Sequence, residues 1–208
     1  MTAAVLLAAG SARRFGGTQK LLAAVPTESG DVPLVRHSVT GLLQAGIQNI
    51  VVVTGRDADQ VRRALDGMAL RFALNPEYTS GLSTSLKKGV SEATRLWPKM
   101  KQLLIALGDQ PLTGTGILET LLSRTRSLEE RDPYGIIAPR YQGEAGNPVL
   151  FAGEFIPDLL LVPTGDRGAR VVIERNPSRV RYVDFDRAMP LDVDTMSDLS
   201  ALTNVHHQ

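Results

Sequence analysis

Two segments of this 208-residue chain carry opposite charges in patterns that suit phosphate and metal chemistry. Between Gly10 and Lys20 there are basic residues and no acidic ones, whereas between Asp184 and Asp198 acidic residues predominate and the only base is Arg187. Basic side chains neutralise phosphate oxygens, and carboxylates are ligands that Mg²⁺ prefers. The separation therefore suits a site for a metal ion and a phosphate chain, although clusters of charge are also common on solvated surfaces.

The basic segment is a glycine-rich loop that directly follows an apolar run. Gly10, Gly16 and Gly17 let the backbone approach a ligand closely, with N–H groups that suit a phosphate chain. Arg14 and Lys20 would neutralise that chain, the arginine through a forked contact and the lysine as a point charge. The loop has no Gly-Lys pair as in a Walker A motif, and its glycines do not match the dinucleotide fingerprint. An ordinary turn is the alternative interpretation.

The acidic candidates lie at the end of one apolar run and near the end of the chain. Asp109 follows the apolar residues 103–107 within a Gly-Asp-Gln-Pro sequence, which is also typical of a simple turn. Asp192 and Asp194 are two residues apart, so they share a face if this segment is extended. For Asp192, the alternative is a solvated acid or a helix N-cap.

Apolar runs and helical spacing alternate along the chain, which predicts an α/β fold. Buried strands are expected at residues 3–8, 50–54, 70–74, 103–107, 135–139, 148–151 and 180–185. Helices are expected at 34–45, 57–65, 83–96 (with Ser83 as N-cap), 117–126, 166–174 and from 195 onwards. This order predicts a Rossmann-like, three-layer α/β/α domain with a mostly parallel sheet, spanning residues 1–208. Ligands of such sheets bind at the carboxyl ends of the strands.

Composition excludes several classes of protein. The chain has no cysteine, which excludes a disulfide scaffold, a zinc ribbon and a cysteine nucleophile. The formal net charge of +1 gives no reason to expect nucleic acid or a membrane surface as a partner. No apolar run reaches the length of a membrane span, and the first residues lack the basic start of a secretory signal. A cytoplasmic location is therefore expected.

Six sequence blocks in the same order resemble the MobA-like nucleotidyltransferases. The glycine-rich loop is similar to the family pattern L-A-A-G-x-S-x-R-M/F-G-x-x-K, with Ala12 in place of serine and one extra residue before Lys20. The other five blocks are N-P with G-L-S-T-S-L-K (75–87), L-G-D-Q-P (107–111), G-N-P-V-L-F (146–151), G-D-R-G-A-R (165–170) and D-V-D-T with D-L (192–199). The second and fifth blocks are most similar to the molybdenum cofactor cytidylyltransferase branch.

The resemblance implies a role for each matching residue. The nucleotide would contact Leu7, Ala8, Ala9, Gly10, Arg14, Lys20, Gly81, Ser83 and Ser85, of which Arg14 and Lys20 would stabilise the departing pyrophosphate. Asp109 would bind Mg²⁺ together with Asp194 and Asp192. For the two serines, a helix cap and a surface hydroxyl are the alternatives. Asn147, Asp166 and Arg170 would face the acceptor, although a helix cap and a surface charge explain the last two equally well.

The activity implied by the resemblance is Mg²⁺-dependent transfer of CMP from CTP to the molybdopterin cofactor, with delivery of the product to a molybdenum hydroxylase. One alternative is a nucleotidyltransferase that acts on a sugar phosphate, an alcohol phosphate or GTP. Another is a carrier that binds the cofactor without catalysis. The complete set of Lys20, Asp109, Asp192 and Asp194 favours an enzyme, because binding alone would not require it.

Overall fold

The computed structural model describes residues 1–10, 19–27, 30–111, 116–124 and 134–190. The strands in this part of the chain are β1 (Thr2–Ala8), β2 (Ala24–Val25), β3 (Val32–Pro33), β4 (Asn49–Thr54), β5 (Arg71–Leu74), β6 (Gln102–Leu107), β7 (Ile136–Tyr141), β8 (Glu144–Ala145), β9 (Val149–Ala152) and β10 (Val180–Phe185). The helices are α1 (Leu34–Gln44), α2 (Ala58–Ala64), α3 (Leu82–Leu96), α4 (Ile117–Ser123), α5 (Ile156–Leu160) and α6 (Arg170–Arg175). No helix within these ranges has the length and apolar character needed to cross a membrane.

The main sheet has the strand order β10-β7-β9-β6-β1-β4-β5, and β8 pairs with β7. Strands β6, β1, β4 and β5 are parallel, as are β7 and β10, whereas β9 runs antiparallel to both of its neighbours. Because β9 reverses direction between β6 and β7, the carboxyl ends of β10, β7, β6, β1, β4 and β5 lie at one edge. The predicted α/β fold with a mostly parallel sheet is confirmed, and the antiparallel β9 is an addition to it.

The core consists of two apolar layers, one on each face of the sheet. In β1, Ala3, Val5 and Leu7 face the layer that contains α3, α5 and α6. Ala4, Leu6 and Ala8 face the layer that contains α1, α2 and α4. Because a central strand is covered on both faces, all its side chains must be apolar, which explains the uninterrupted run that predicted it. Helices on both faces give the three layers expected from the sequence.

Helix α3 lies very close to the sheet, because a glycine faces the strands. A Cβ atom on Gly89 would come within 2.4 Å of Val5 Cγ1 and 2.7 Å of Val53 Cγ2. The helix then ends at Leu96, before Trp97 and Pro98, as the sequence predicted. The close packing fixes the first turn of α3 beside the carboxyl end of β1.

Two helix starts differ from the predictions. Helix α3 begins at Leu82 with Gly81 in the N-cap position, so the interpretation of Ser83 as N-cap is wrong. The Ser83 hydroxyl instead accepts a hydrogen bond from the backbone of Gly165, a long-range contact that local sequence cannot indicate. Helix α6 begins at Arg170, so the predicted start at Asp166 is also wrong, because residues 166–169 form turns. The helix expected from residue 195 lies outside the described residues.

Between the turn that contains Lys20 and helix α1, the described residues form a small hairpin. Strands β2 and β3 pair antiparallel, and Thr27 and Gly30 close the turn with reciprocal backbone hydrogen bonds. The N–H of Leu34 at the start of α1 donates to the carbonyl of Ala23 at 2.9 Å. The hairpin therefore connects the turn containing Lys20 to α1.

Candidate functional site

The site is centred where the two middle strands end beside each other. Leu7 of β1 and Leu107 of β6 are paired, and the Gly108 N–H continues the pairing by donating to the Leu7 carbonyl at 2.9 Å. The chain after β1 continues through Ala9 and Gly10, and the chain after β6 continues to Asp109. The glycine-rich loop and the Gly-Asp-Gln-Pro turn therefore start side by side, as the rule for parallel sheets predicts.

An ion pair joins these two segments. Lys20 Nζ lies 2.7 Å from Asp109 Oδ2, and the two side chains are 15% and 25% exposed. Lys20 starts a short 3₁₀ turn, Lys20–Leu22, whose Leu21 is buried among the residues of the α1 layer. A partly buried ion pair at the edge of a cavity can separate when a ligand supplies a better partner for either charge.

The turn that presents Asp109 is held from below by Ser38 of α1. The Ser38 side chain is fully buried, and its hydroxyl lies 3.0 Å from the Gly108 carbonyl and 3.4 Å from the Gln110 carbonyl. It also lies 3.1 Å from the Leu34 carbonyl within α1. One buried hydroxyl thus contacts the backbone on both sides of Asp109. No local sequence signal indicates this role, because it depends on the packing of α1 against a loop 70 residues away.

The opposite wall is the turn between β5 and α3. Tyr78–Ser80 form a 3₁₀ turn, and Gly81 follows with φ +108° and ψ 166°, a backbone conformation that is essentially restricted to glycine. Asn75, at the end of β5, is buried and donates hydrogen bonds to Thr84 Oγ1 and Ser85 Oγ, both at 2.9 Å. The Asn-Pro and serine-containing parts of the second block therefore form one hydrogen-bonded unit.

That unit is joined to the fifth block by a reciprocal pair of hydrogen bonds. The Ser83 N–H donates to the Gly165 carbonyl at 3.0 Å, and the Gly165 N–H donates to Ser83 Oγ at 2.9 Å. A Cβ atom on Gly81 would come within 2.6 Å of the Gly165 carbonyl group. The two blocks that resemble the cytidylyltransferase branch are thus in direct contact, although 82 residues separate Ser83 from Gly165.

These elements enclose a first cavity of about 460 Å³. Its lining comes from the ends of β1 and β6, the turn with Lys20, the 78–81 turn and the start of α3. The residues are Leu7, Ala9, Gly10, Lys20, Leu21, Tyr78, Thr79, Gly81, Leu82, Ser85, Leu107, Asp109 and Asp166. The cavity has charged groups at Lys20, Asp109 and Asp166 and a hydroxyl at Ser85, so it suits a polar ligand. With two carboxylates and one lysine in the described lining, a bound cation would help it to hold a negatively charged molecule.

A second cavity, of about 580 Å³, lies next to the first and shares Leu7, Leu82 and Leu107 with it. Apolar side chains of Ile105, Val149 and Ile173 form part of its walls. Charged residues of α6 and β8 form another part. The complete lining is Leu7, Leu82, Ile105, Leu107, Glu144, Ala145, Gly146, Asn147, Val149, Arg167, Ala169, Arg170, Ile173, Glu174 and Tyr182. The cavity combines a largely apolar floor with charged groups. It therefore suits a molecule that has both an apolar part and a charged part.

The charged groups on the α6 side of the second cavity form a cluster around Glu174. Both Arg167 and Arg170 donate to the Glu174 carboxylate, the latter at 3.0 Å. The Arg167 guanidinium, assisted by Arg170, holds the pKa of Glu174 below its usual range. The three side chains are 40% to 77% exposed. Water therefore screens their attraction, and the cluster is a set of exposed ion pairs rather than a buried network.

The structure brings together most of the residues predicted to contact a nucleotide. Of that set, Leu7, Ala9, Gly10, Lys20, Gly81 and Ser85 line the first cavity. Ala8 points into the apolar layer that contains α1, and Ser83 is buried against Gly165. These two residues support the cavity from behind instead of lining it. Arg14 lies outside the described residues.

The predicted acceptor residues divide between the two cavities. Asn147 and Arg170 line the second cavity, and the Asn147 carbonyl accepts a hydrogen bond from the Tyr141 hydroxyl at 3.0 Å. Asp166 lines the first cavity instead. Of the predicted metal ligands, Asp109 lines the first cavity, whereas Asp192 and Asp194 lie outside the described residues. The described part of the chain contains no group of three or more histidines or acids placed to hold a metal ion.

Some cavity residues were not identified from the sequence. Tyr78, Thr79 and Leu82 line the first cavity, and Arg167 and Glu174 line the second. The first three lie within or beside the second sequence block, and Arg167 lies within the fifth. Their positions in these blocks could therefore have identified them as cavity residues. Glu174 lies outside the fifth block, four residues after Arg170. This is the spacing of an i,i+4 ion pair on a helix, which could have indicated it.

Comparison with known proteins identifies a family. The model of the MobA-like NTP transferase domain matches residues 4–180. The nicotine blue oxidoreductase of Paenarthrobacter nicotinovorans is 28% identical over 200 residues, which cover 95% of this chain and 94% of that protein.

Solved structures share the fold of this protein over almost the whole chain. Rv0371c from Mycobacterium tuberculosis H37Rv has a TM-score of 0.77 at 26% identity, covering 98% of this chain and 97% of that one. Its homologue from Mycobacterium sp. strain JC1 has a TM-score of 0.80 at 27% identity, covering 98% of each chain. A second Rv0371c structure, a complex with manganese, has a TM-score of 0.72 at 24% identity, covering 98% of this chain and 97% of that one.

Proposed function

Because the chain belongs to the MobA-like NTP transferase family, we propose that it transfers CMP from CTP to the molybdopterin cofactor and releases pyrophosphate. The observation that carries this proposal is the Lys20–Asp109 ion pair at the junction of β1 and β6. It combines a cation for phosphate oxygens with a carboxylate for a metal ion, on the wall of a cavity large enough for a nucleotide.

In the proposed reaction, a phosphate oxygen of the acceptor attacks the α-phosphorus of CTP. A new P–O bond forms, the bond between the α-phosphorus and the bridging oxygen breaks, and pyrophosphate leaves with the negative charge. Lys20 stabilises that charge together with the N–H groups near Ala9 and Gly10, because fixed donors aimed at developing charge lower the barrier. Arg14 is proposed to assist on the β- and γ-phosphates.

The donor set suits Mg²⁺, which is usually held by one or two carboxylates together with phosphate oxygens and water. Asp109 supplies a carboxylate that lines the cavity and is partly exposed, so a metal ion can reach it. We propose Asp194 and Asp192 as further ligands. A bound Mg²⁺ would neutralise triphosphate charge. The manganese complex of Rv0371c supports the use of a divalent metal in this fold.

The preference for CTP is supported by the contact between the second and fifth blocks. Both blocks resemble the cytidylyltransferase branch, and Ser83 joins them through two hydrogen bonds to Gly165. The contact places Ser85 and Asp166 on the wall of the same cavity. The proposed nucleotide-specific segments thus act as one surface.

The character of the second cavity supports a pterin acceptor over a sugar phosphate. Its apolar side chains, among them Ile105, Val149 and Ile173, can pack against a flat ring system. A sugar would leave its hydroxyl groups facing these side chains without hydrogen-bond partners, which is costly. Arg167 and Arg170 can attract the anionic group of the acceptor. The product would then pass to a molybdenum hydroxylase.

The test is an assay for pyrophosphate release. The protein is incubated with Mg²⁺, each of the four NTPs in turn, and either molybdopterin cofactor or a panel of sugar phosphates. We expect release only with CTP and molybdopterin. Release only with a sugar phosphate would replace the proposed acceptor, and binding of molybdopterin without any release would favour the carrier. Because one relative is named an oxidoreductase, NADH and NADPH are included, and their oxidation without pyrophosphate release would contradict the proposal.

Substitution of Asp109 tests the site within the same assay. Asp109→Asn keeps the shape of the side chain but removes its charge, so we expect a fall in kcat of about 100-fold or more. The unfolding temperature should change little, because Asp109 is partly exposed. Asp66→Asn, at an exposed position after α2, is the matched control and should retain wild-type activity. Full activity of Asp109→Asn would eliminate the proposed metal ligand.

A further inference from the structure

The side chain of Asn75 belongs to a hydrogen-bond network whose direction is fixed. The backbone N–H of Glu77 donates to Asn75 Oδ1 at 3.0 Å, and because an N–H can only donate, this contact identifies the oxygen of the amide. The other end of the amide is therefore the NH₂ group. It donates to both Thr84 Oγ1 and Ser85 Oγ.

The two hydroxyls that accept from Asn75 differ in where their hydrogen atoms go. Thr84 Oγ1 lies 2.9 Å from both the Glu77 and the Gly81 carbonyls, which can accept its hydrogen. Ser85 Oγ accepts from Asn75 on its buried side, and within the described ranges no carbonyl or carboxylate accepts from it. Because Ser85 lines the first cavity, its O–H is available on that side.

We infer that Asn75 is a positioning residue that makes Ser85 a hydrogen-bond donor toward the ligand of the first cavity. The ligand atom that receives the Ser85 hydrogen is consequently an acceptor, such as the C2 carbonyl of a pyrimidine or N3 of cytosine. This inference rests on the proposed binding of a nucleotide in the first cavity. To the proposed function it adds that Ser85 acts as the hydrogen-bond donor, and that the buried residue Asn75 fixes this direction.

Asn75→Asp tests the inference because it reverses the polarity at nearly constant shape. The new carboxylate still accepts from the Glu77 N–H, but it also accepts the hydrogen of Ser85 and so withdraws it from the cavity. We expect the Kd for CTP, measured by calorimetry with Mg²⁺, to rise about 5- to 10-fold, the value of one hydrogen bond. Uncharged cytidine should show a similar relative loss, which separates this effect from repulsion of the triphosphate.

A double-mutant cycle distinguishes positioning from a structural role. Ser85→Ala alone should weaken binding to the same extent as Asn75→Asp, and the double variant should be no weaker than either single variant. Thr84→Val is the matched control: it removes the other acceptor of the Asn75 amide and should change the Kd less than twofold. Unfolding temperatures of all four variants identify any loss of fold.

The outcomes separate this inference from the proposed function. If the wild-type protein binds CTP and Asn75→Asp binds it equally well, the inference is overturned and the proposed function stands. A further loss from Asn75→Asp in the Ser85→Ala background would also overturn it, because Asn75 would then act independently of Ser85. If the wild-type protein binds no nucleotide, the proposed function fails, and this inference fails with it.

Discussion

The two cavities share the leucines at 7, 82 and 107, but the polar contacts that support their walls differ in burial. Even the ion pair of the first cavity, Lys20–Asp109, is more buried than those of the second. Around the first cavity, the polar contacts of Ser38, Asn75 and Ser83 are buried and involve backbone groups or neutral side chains. On the α6 side of the second, exposed ion pairs of Arg167 and Arg170 with Glu174 provide the polar character. Buried hydrogen bonds fix a geometry, whereas exposed ion pairs rearrange easily and contribute little stability.

This difference corresponds to two kinds of task. Transfer of a nucleotidyl group requires the α-phosphorus to be held within a few tenths of an ångström of its reacting geometry, which a rigid wall can provide. An acceptor needs only to be attracted and oriented, and exposed arginines can adjust to its anionic group. Changes at the first wall should therefore affect fold and catalysis, while changes at the second should affect only acceptor binding.

The largest effect is expected from Gly81→Ala, which alters the junction between α3 and Gly165. A Cβ atom would clash with the Gly165 carbonyl, and φ +108° is unfavourable for alanine. The backbone strain and overpacking together should lower the free energy of unfolding by about 3 kcal/mol, measured by urea denaturation. Activity should fall as well, because Ser83 and Ser85 would shift with the helix start.

Gly30→Ala is the control for the conformational part of that effect. Gly30 has a similar φ of +110°, but among the described residues a Cβ atom there would have no neighbour within 4 Å. It should lower the free energy of unfolding by only about 1 kcal/mol and leave activity unchanged. Equal effects of the two substitutions would show that the contact with Gly165 is unimportant.

A smaller effect is expected from Ser38→Ala, beneath the turn that carries Asp109. Loss of this buried hydroxyl should lower the free energy of unfolding by about 1 kcal/mol and reduce kcat roughly 5- to 10-fold, because the backbone around Asp109 loses a hydrogen-bond donor. Thr40→Ala is the control, since within the described ranges Thr40 Oγ1 donates only to the Arg36 carbonyl of the same helix. If kcat is unchanged in both Ser38→Ala and Thr40→Ala, Ser38 contributes to the stability of the fold and not to the positioning of Asp109.

Sequence patterns were sufficient for the elements whose burial is uniform. The apolar run that becomes β1 and the helical spacing that becomes α1 appear where they were expected, because each reflects only which side chains must be covered. The short strand β8 and the five-residue helix α5 were not predicted. Elements of two to five residues have too few positions to show a period, and tertiary packing determines them.

For the candidate site, the sequence predicted the charged residues but not the contacts that support them. Lys20 and Asp109 were identified by residue type and by position after a strand, and the structure brings their charges to 2.7 Å. The roles of Ser38, Ser83 and Gly165 were not, because each depends on a contact between segments 70 or more residues apart. Residue type indicates what chemistry a side chain can perform, whereas such contacts decide whether it faces the ligand or supports the wall.

The smallest effect is expected from Glu174→Gln, at the exposed cluster beside the second cavity. Removing this carboxylate leaves Arg167 and Arg170 with more net positive charge, so an anionic acceptor should bind better and its KM should fall about 2- to 3-fold. The two arginines hold the pKa of Glu174 below its usual range, so the wild-type carboxylate is charged at neutral pH and the comparison is valid there. The gain should disappear in 0.5 M salt, where exposed charges are screened.

Glu92→Gln, which removes a similar ion pair with Arg95 on α3, is the control and should have no effect. A large loss of activity or stability from Glu174→Gln would mean that the α6 cluster is as rigid as the wall of the first cavity, and the contrast between the two would not hold.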